Sequence, residues 1–383
     1  MIFESSTYLK ISELQQVCLK KNIPFASYRL PQDVEITTLI QCNSMPEELT
    51  SMNNVENKSG FIVAPFFCNE NHAGYILSPD TIFHTDTIDS EFIEKLALNE
   101  NFALVEKPLN TKVETTQSAE FIQQVNAALN AIEMGEFHKV VLSKVRLEML
   151  HDDFKAEEFF LKLCAAYPNA FVYIMQLPKV GCWIGATPEP LLVIENDKVR
   201  TVSLAGTQMA DKKDIDAYKW SDKEIDEQDI VTDFVEKNLQ SLKIKNITKV
   251  GPVNYQAANL IHLKSSFEFP LHELNNRLGD FINALHPTPS VGGLPKNAAR
   301  EFILANEKHD RNYYTGFLGP LNIDKKSNVF VNLRCLQLFD NHFVLYSGAG
   351  ITKSSNAQNE WEETDNKMMT MMNVMNIPNT KKK

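Results

Sequence analysis

Apolar and polar positions along this chain change period several times, and each change marks a predicted element. Over SAEFIQQVNAALNAIEMGEF (residues 118–137), Phe121, Val125, Leu129 and Ile132 recur at helical spacing and predict an amphipathic helix. The next stretch, KVVLSKVRLEML, is rich in β-branched and apolar residues and reads as a strand. FKAEEFFLKLCAAY predicts a second helix, followed by a strand pair, AFVYIMQL and CWIGATPEPLLVIE, and then by VRTVSLAGT. Strand and helix signals alternate to the end in HLKSSFEFPL, LGDFINALHPTP, SNVFVNLRCLQLF and HFVLYSGAG. Residues 1 to about 110 hold short apolar runs, GFIVAPFF (60–67) and GYILSPDTIFHT (74–85), between polar turns, without a cluster of reactive side chains. That half is expected to supply sheet and scaffold. Strands beside strands, with helices intervening irregularly, predict a mixed α+β protein rather than a regular βαβ alternation.

Composition narrows the class. The 383 residues are 43% hydrophobic and 23% charged, ordinary for a globular chain large enough to bury a substantial core. No linker rich in Gly, Pro or Ser divides it, so one compact unit is expected, with 1–117 as the variable scaffold half and 118–376 as the motif-bearing half. The formal charge is −11, and the only basic block is Lys381 to Lys383, which makes nucleic acid and anionic membrane poor partners. An anionic substrate would need a local site. Cys18, Cys42, Cys68, Cys164, Cys182 and Cys335 are scattered without CxxC spacing, as expected of reduced thiols in a cytoplasmic protein. Nowhere do 18 apolar residues run together, and the first residues lack a basic region followed by an apolar run, so neither export nor membrane spanning is expected.

Two acidic helices carry the candidate chemistry. After SGAG (347–350), Ser355 and Gln358 form a capping-box pattern, predicting a helix from near Asn356 to about Met375 with Glu360, Glu363 and Lys367 on one face. In WSDKEIDEQDIVTDFVEKNL, Ser221 and Glu224 repeat that pattern, and Glu224 and Glu227 lie one turn apart. Such helices could face each other across a hard divalent cation; solvated helix faces, with Glu224 merely capping, would explain the same charges. SGAG lacks the spacing of a phosphate loop, and its glycines suit a close approach of backbone to a small anion. Lys139, at the edge of an apolar strand, and Glu189, among Pro188, Pro190 and Leu191, outline a base and an acid if both are buried. As surface charges they would be inert.

The segments KVVLSK, GATPEPLL, SLAGT, DKEIDEQDIV, HL, LHPTPSVGGLP, YYTGFLGP, VNLRCL and SGAGI with EETDNK occur in an order that closely resembles the chorismate-utilising enzymes, over residues 118 to 376. That family includes isochorismate, salicylate, anthranilate and aminodeoxychorismate synthases. The resemblance implies a sandwich of antiparallel sheets with helices outside and a Mg²⁺ ion bridging enzyme carboxylates and the carboxylate of chorismate. On that pattern Glu227 and Glu363 match the metal ligands, with Glu224 and Glu360 beside them, directly or through water. Arg334 and Lys367 match groups that bind substrate carboxylate; Gly348, Gly350, Ala205, Gly206 and Thr207 match positions beside the substrate. Ammonia-using members generally carry Gln where this chain has Lys139, and aminodeoxychorismate synthases commonly carry Lys where it has Ala205. Lys139 with Ala205 thus resembles the water-using, isochorismate-forming branch, with Lys139 as base and Glu189 as acid. Salicylate synthases share the same motifs and are the second reading, ahead of an anthranilate synthase large subunit or a catalytically silent Mg²⁺ or carboxylate-binding protein. The product's use, in menaquinone or siderophore synthesis, stays open; a monomer is expected from the family. Gln228 stands where the family usually has His, SLAGT replaces a proline-led form, and the roles of Gln228, His262 and His286 are open.

Overall fold

A computed structural model describes residues 6–69, 72–98, 113–210, 214–257 and 260–375. The predicted basic block Lys381 to Lys383 lies outside them. The chain begins with α1 (Ser6–Lys21), β1 (Phe25–Arg29), β2 (Ile36–Ile40), β3 (Glu47–Leu49), β4 (Gly60–Ala64), β5 (Gly74–Leu77), β6 (Thr81–His84) and α2 (Ser90–Leu98). It continues through α3 (Ser118–Glu133), β7 (Lys139–Met149), α4 (Ala156–Ala166), β8 (Phe171–Leu177), β9 (Gly181–Thr187), β10 (Pro190–Glu195), β11 (Lys198–Met209) and α5 (Asp222–Ser241). Then come β12 (Thr248–Ala257), β13 (Leu260–Pro270), α6 (Leu278–Leu285), β14 (Gly293–Leu294), α7 (Lys296–Asn306), β15 (Phe317–Leu321) and β16 (Ser327–Val331). The last elements are β17 (Cys335–Leu338), β18 (His342–Ile351) and α8 (Ala357–Met372).

The strands form two nine-stranded sheets, ordered β14-β7-β18-β17-β9-β8-β1-β2-β6 and β12-β13-β11-β10-β16-β15-β4-β5-β3. All their pairings are antiparallel, for example β7 with β18 from His342↔Met149 to Ile351↔Val140. Strands of the first 85 residues extend both sheets through β1 on β8 and β4 on β15, so the two halves of the chain share one framework.

Three layers of apolar side chains explain why so many strand residues are buried on both faces. Along β8, Phe171, Tyr173 and Met175 point into the core between the sheets, while Val172 and Ile174 point into the core under α1, α4 and α8. This is the period-two alternation of a strand, with an apolar destination on either side. Phe171 stacks on Phe330 of the other sheet with ring centroids 4.3 Å apart. A third core, under α5 and α6, covers the outer face of the second sheet. The protein is therefore an α+β sandwich with helices outside both sheets, as its sequence leads one to expect.

Several expected elements differ in detail. CWIGATPEPLLVIE and SNVFVNLRCLQLF each divide into two strands that belong to different sheets, as does GYILSPDTIFHT. In the first, Pro188 and Pro190 lack the N–H that a continuous ladder needs. On α3, Phe121 and Val125 are buried, whereas Leu129 and Ile132 are only partly covered. The cap of α8 is Asn356, whose side chain accepts from Gln358 N and Asn359 N, both at 3.1 Å. Ser355, expected in that role, instead accepts from Thr352 N at 3.1 Å, and the helix ends at Met372 rather than Met375. All six cysteines are free thiols, and among the described residues no helix is long and apolar enough to cross a membrane.

Candidate active site

The site is built where the chain passes from one sheet to the other. β9 ends at Thr187 and β10 begins at Pro190 in the opposite sheet; β16 ends at Val331 and β17 begins at Cys335 on the return. The two crossings lie side by side. Val331 N donates to Glu189 O at 2.9 Å, Ala186 N to Arg334 O at 3.0 Å, and Thr187 Oγ1 to Val331 O at 2.6 Å. Arg334 takes a left-handed backbone, φ 48°, an uncommon state for a side-chain-bearing residue that its neighbours must hold in place. These constraints fix an acid and a guanidinium in the lining of the same cleft.

That cleft is lined by Glu189, Ala205, Gly206, Thr207, Glu227 and Arg334, with Gly348, Gly350 and Lys367 completing one wall. Burial pushes the Glu189 carboxyl up to about 7, against the opposing pull of Lys139 and a 3.4 Å hydrogen bond from Thr288. Arg334 makes no ion pair with any described residue; burial lowers its pKa from the usual range, although a guanidinium keeps its charge near neutrality. A strand irregularity at Ala205/Gln208, with Gly206 at φ +67°, directs Gly206 O to His262 Nδ1 at 2.7 Å. Since a carbonyl only accepts, Nδ1 carries the proton, and the buried Nε2 is left as an acceptor without a partner. Burial, reinforced by Arg334, lowers the His262 pKa to about 3, so the ring is neutral.

Glu227 joins the cleft lining to Lys139, which is not itself part of that lining. Lys139 opens β7 between β14 and β18 and is completely buried. Its Nζ donates to Glu227 Oε1 of α5 at 2.8 Å. The expectation of an isolated lysine in an apolar setting therefore needs correction, because a carboxylate shares its burial. Burial alone would raise the Glu227 pKa, but Lys139, and behind it Lys367 and Lys223, hold it below the ordinary value. Gly350 makes this contact possible: a Cβ there would lie 2.5 Å from Glu227 Oε1 and 3.0 Å from Lys139 Cε.

On α8, Lys367 Nζ lies 2.6 Å from Glu363 Oε1 and donates to Gly348 O at 2.9 Å. Glu360, almost completely buried, accepts from Lys223 of α5 at 2.6 Å. Burial and then Glu363 raise its pKa, with Lys223 opposing. Glu224 is not drawn into this group: its carboxylate accepts from Ser221 N at 2.9 Å and closes the capping box of α5. The four acidic positions thus separate into Glu227, Glu360 and Glu363, each with a lysine, and Glu224, which is spent on its helix end.

Among the described residues no three carboxylate, thiolate or imidazole groups are gathered closely enough to coordinate one ion. The donor chemistry of Glu227, Glu360 and Glu363 nevertheless fits Mg²⁺, which takes oxygen ligands, needs only one or two carboxylates and fills its shell with water and substrate oxygens.

Sequence reasoning missed Tyr314, Ser290 and Thr288. Tyr314 and Ser290 line the cleft, and Thr288 bonds to Glu189. All three lie in segments whose pattern is legible, but nothing local marks which side chain turns inward. Gln228 lies behind Glu227, with Nε2 donating to Ser203 Oγ at 2.9 Å and to Ser265 Oγ at 3.2 Å. His286 lies outside the cleft lining, edge-on to Phe317.

A family model described as chorismate binding enzyme matches residues 6–376. The isochorismate synthase EntC of Escherichia coli K12 is 29% identical over 265 residues, 67% of this chain and 67% of that relative. Among solved structures, DhbC of Bacillus anthracis superposes with a TM-score of 0.77 at 19% identity, covering 96% of this chain and 100% of the other. MenF, the menaquinone-specific isochorismate synthase of Escherichia coli, gives 0.72 at 22% identity, covering 92% and 88%. At these identities the two structures show a shared fold.

Proposed function

This chain belongs to the chorismate-binding enzymes, and we propose that within the family it is an Mg²⁺-dependent isochorismate synthase. The observation that carries the reading is a cleft lined by Glu189, an acid with a pKa of about 7, Arg334 and Lys367, with the buried Lys139 bonded to Glu227 of the same lining. Ala205 offers no nucleophile to that cleft, and with Lys139 in place of the Gln of ammonia-using members this favours water as the reagent. The sequence relatives named as isochorismate synthases support the same assignment.

Arg334 and Lys367 bind substrate carboxylate, and the glycines at 348 and 350 let the ring approach the strand backbone. Glu227 and Glu363, with Glu360 beside them, would hold Mg²⁺, which supplies positive charge for a carboxylate of chorismate. Lys139, once it has given up its own proton and released its contact with Glu227, takes a proton from water as the water oxygen bonds to ring C2. Both ring double bonds shift, the C4–O bond breaks, and Glu189 delivers a proton to the departing hydroxyl, which leaves as water. One water enters and one leaves, so the product is an isomer of the substrate. Turnover in water enriched in ¹⁸O is expected to place one heavy oxygen in the product and none in chorismate recovered after a brief reaction. Unlabelled isochorismate would overturn the water-attack assignment.

A further inference from the structure

A lysine in the first turn of a helix opposes the helix dipole, whose positive end lies there among unpaired N–H groups. Lys223 is the second residue of α5, yet it is turned inward and donates to Glu360 of α8 at 2.6 Å. Burial alone would lower its pKa, but Glu360, Glu363 and Glu227 together raise it. Lys223 thus touches Glu360 and lies within electrostatic reach of Glu363 and Glu227. Lys139 and Lys367 are each accounted for by catalysis and substrate binding; Lys223 has no such task. A helix-start pattern that already satisfies Ser221 through Glu224 does not call for it either.

We propose that Lys223 is a tethered counter-cation of the metal site, neutralising the carboxylates of α5 and α8 while the site is metal-free and yielding to a divalent cation as it binds. The proposal rests on the reading that these carboxylates take Mg²⁺. An ammonium and a divalent cation beside the same carboxylates repel each other, so the lysine and the metal compete for their charge. Glu360, at 1% exposure, would otherwise be a buried carboxylate without a paired cation. The long flexible stem of lysine allows the ammonium to swing to solvent without unwinding the helix, which a shorter cation could not do. Metal affinity is thereby set lower than the carboxylates alone would give, and the metal-free enzyme stays folded.

The test is metal binding without substrate, followed by Mg²⁺ calorimetry and by Mn²⁺ spin resonance, with thermal melting in EDTA alongside. Lys223→Met, which keeps the stem and removes the charge, is expected to bind either metal about tenfold more tightly than wild type. It should melt lower than wild type in EDTA, and saturating Mg²⁺ should close the gap. Lys223→Arg keeps the charge and the helix contact, and is expected to bind metal no more tightly than wild type. A lysine serving only to hold the helices together would give the EDTA defect without tighter binding. Metal binding by wild type with equal or weaker binding by Lys223→Met would overturn the counter-cation while leaving the carboxylate site intact. Tighter binding by Lys223→Arg would contradict it in the same way. Absence of binding to wild type and both variants would remove the metal reading itself, and the proposal with it.

Discussion

Glu189→Gln is expected to lower kcat by roughly 10²- to 10⁴-fold with little change in KM, the range associated with loss of a positioned general acid. The amide keeps the size of the side chain and its contact with Thr288 but has no proton of suitable acidity. The wild-type pH profile should carry the same signature. Because burial pushes the Glu189 carboxyl up to about 7, its proton is present below that pH and lost above it, so kcat/KM should fall as pH rises through about 7. Stability follows the same direction. A carboxyl whose folded pKa exceeds its unfolded value of 4.5 favours the folded state most below pH 4.5, and that contribution is lost as pH rises to about 7. The Gln variant should therefore be more stable than wild type at pH 8, by on the order of 3 kcal/mol. Rate profiles and denaturant melts across pH 5 to 9 check both statements. A variant that retains the wild-type rate would remove Glu189 from the chemistry.

Lys139→Ala is the second large effect, again roughly 10²- to 10⁴-fold in kcat. Two physical consequences must be separated. Removing the base abolishes proton abstraction from water; removing the ammonium also leaves Glu227, mostly enclosed, without its 2.8 Å partner. The latter costs about 3–5 kcal/mol in fully buried pairs, and less here because Glu227 keeps some access to solvent. Lys139→Gln distinguishes the two, because its amide can still donate to Glu227 but cannot act as a base. Both variants should be slow, and only the alanine variant should melt markedly lower. Near-normal turnover by either would exclude Lys139 as the base.

Much of the architecture was legible because its signals were local. The helix over Ser118–Glu133 and the strands AFVYIMQL and HFVLYSGAG declare themselves by period or by unbroken apolar runs, and the Ser221/Glu224 capping box by its spacing. What stayed hidden depends on tertiary partners. A strand buried on both faces has no polar side to betray a change of sheet, so the crossings at Glu189 and Arg334 were read as continuous strands, although they place the acid and the guanidinium. The acidic pairs at Glu224/Glu227 and Glu360/Glu363 were visible as charge, but not the lysines that interleave with them. Lys223 stands in the same quoted segment as Glu227, and only the contact with Glu360 on a helix more than a hundred residues later reveals its direction. The Asn356 cap was displaced from Ser355 because Ser355 bonds to Thr352 in the preceding turn.

The most direct measurement supplies purified protein with chorismate and Mg²⁺, with parallel reactions in EDTA and with ammonium, and identifies the products by chromatography and mass spectrometry. The expected result is isochorismate, formed only with metal and unaffected by ammonium. Salicylate with pyruvate, anthranilate, or no metal-dependent turnover would contradict the assignment.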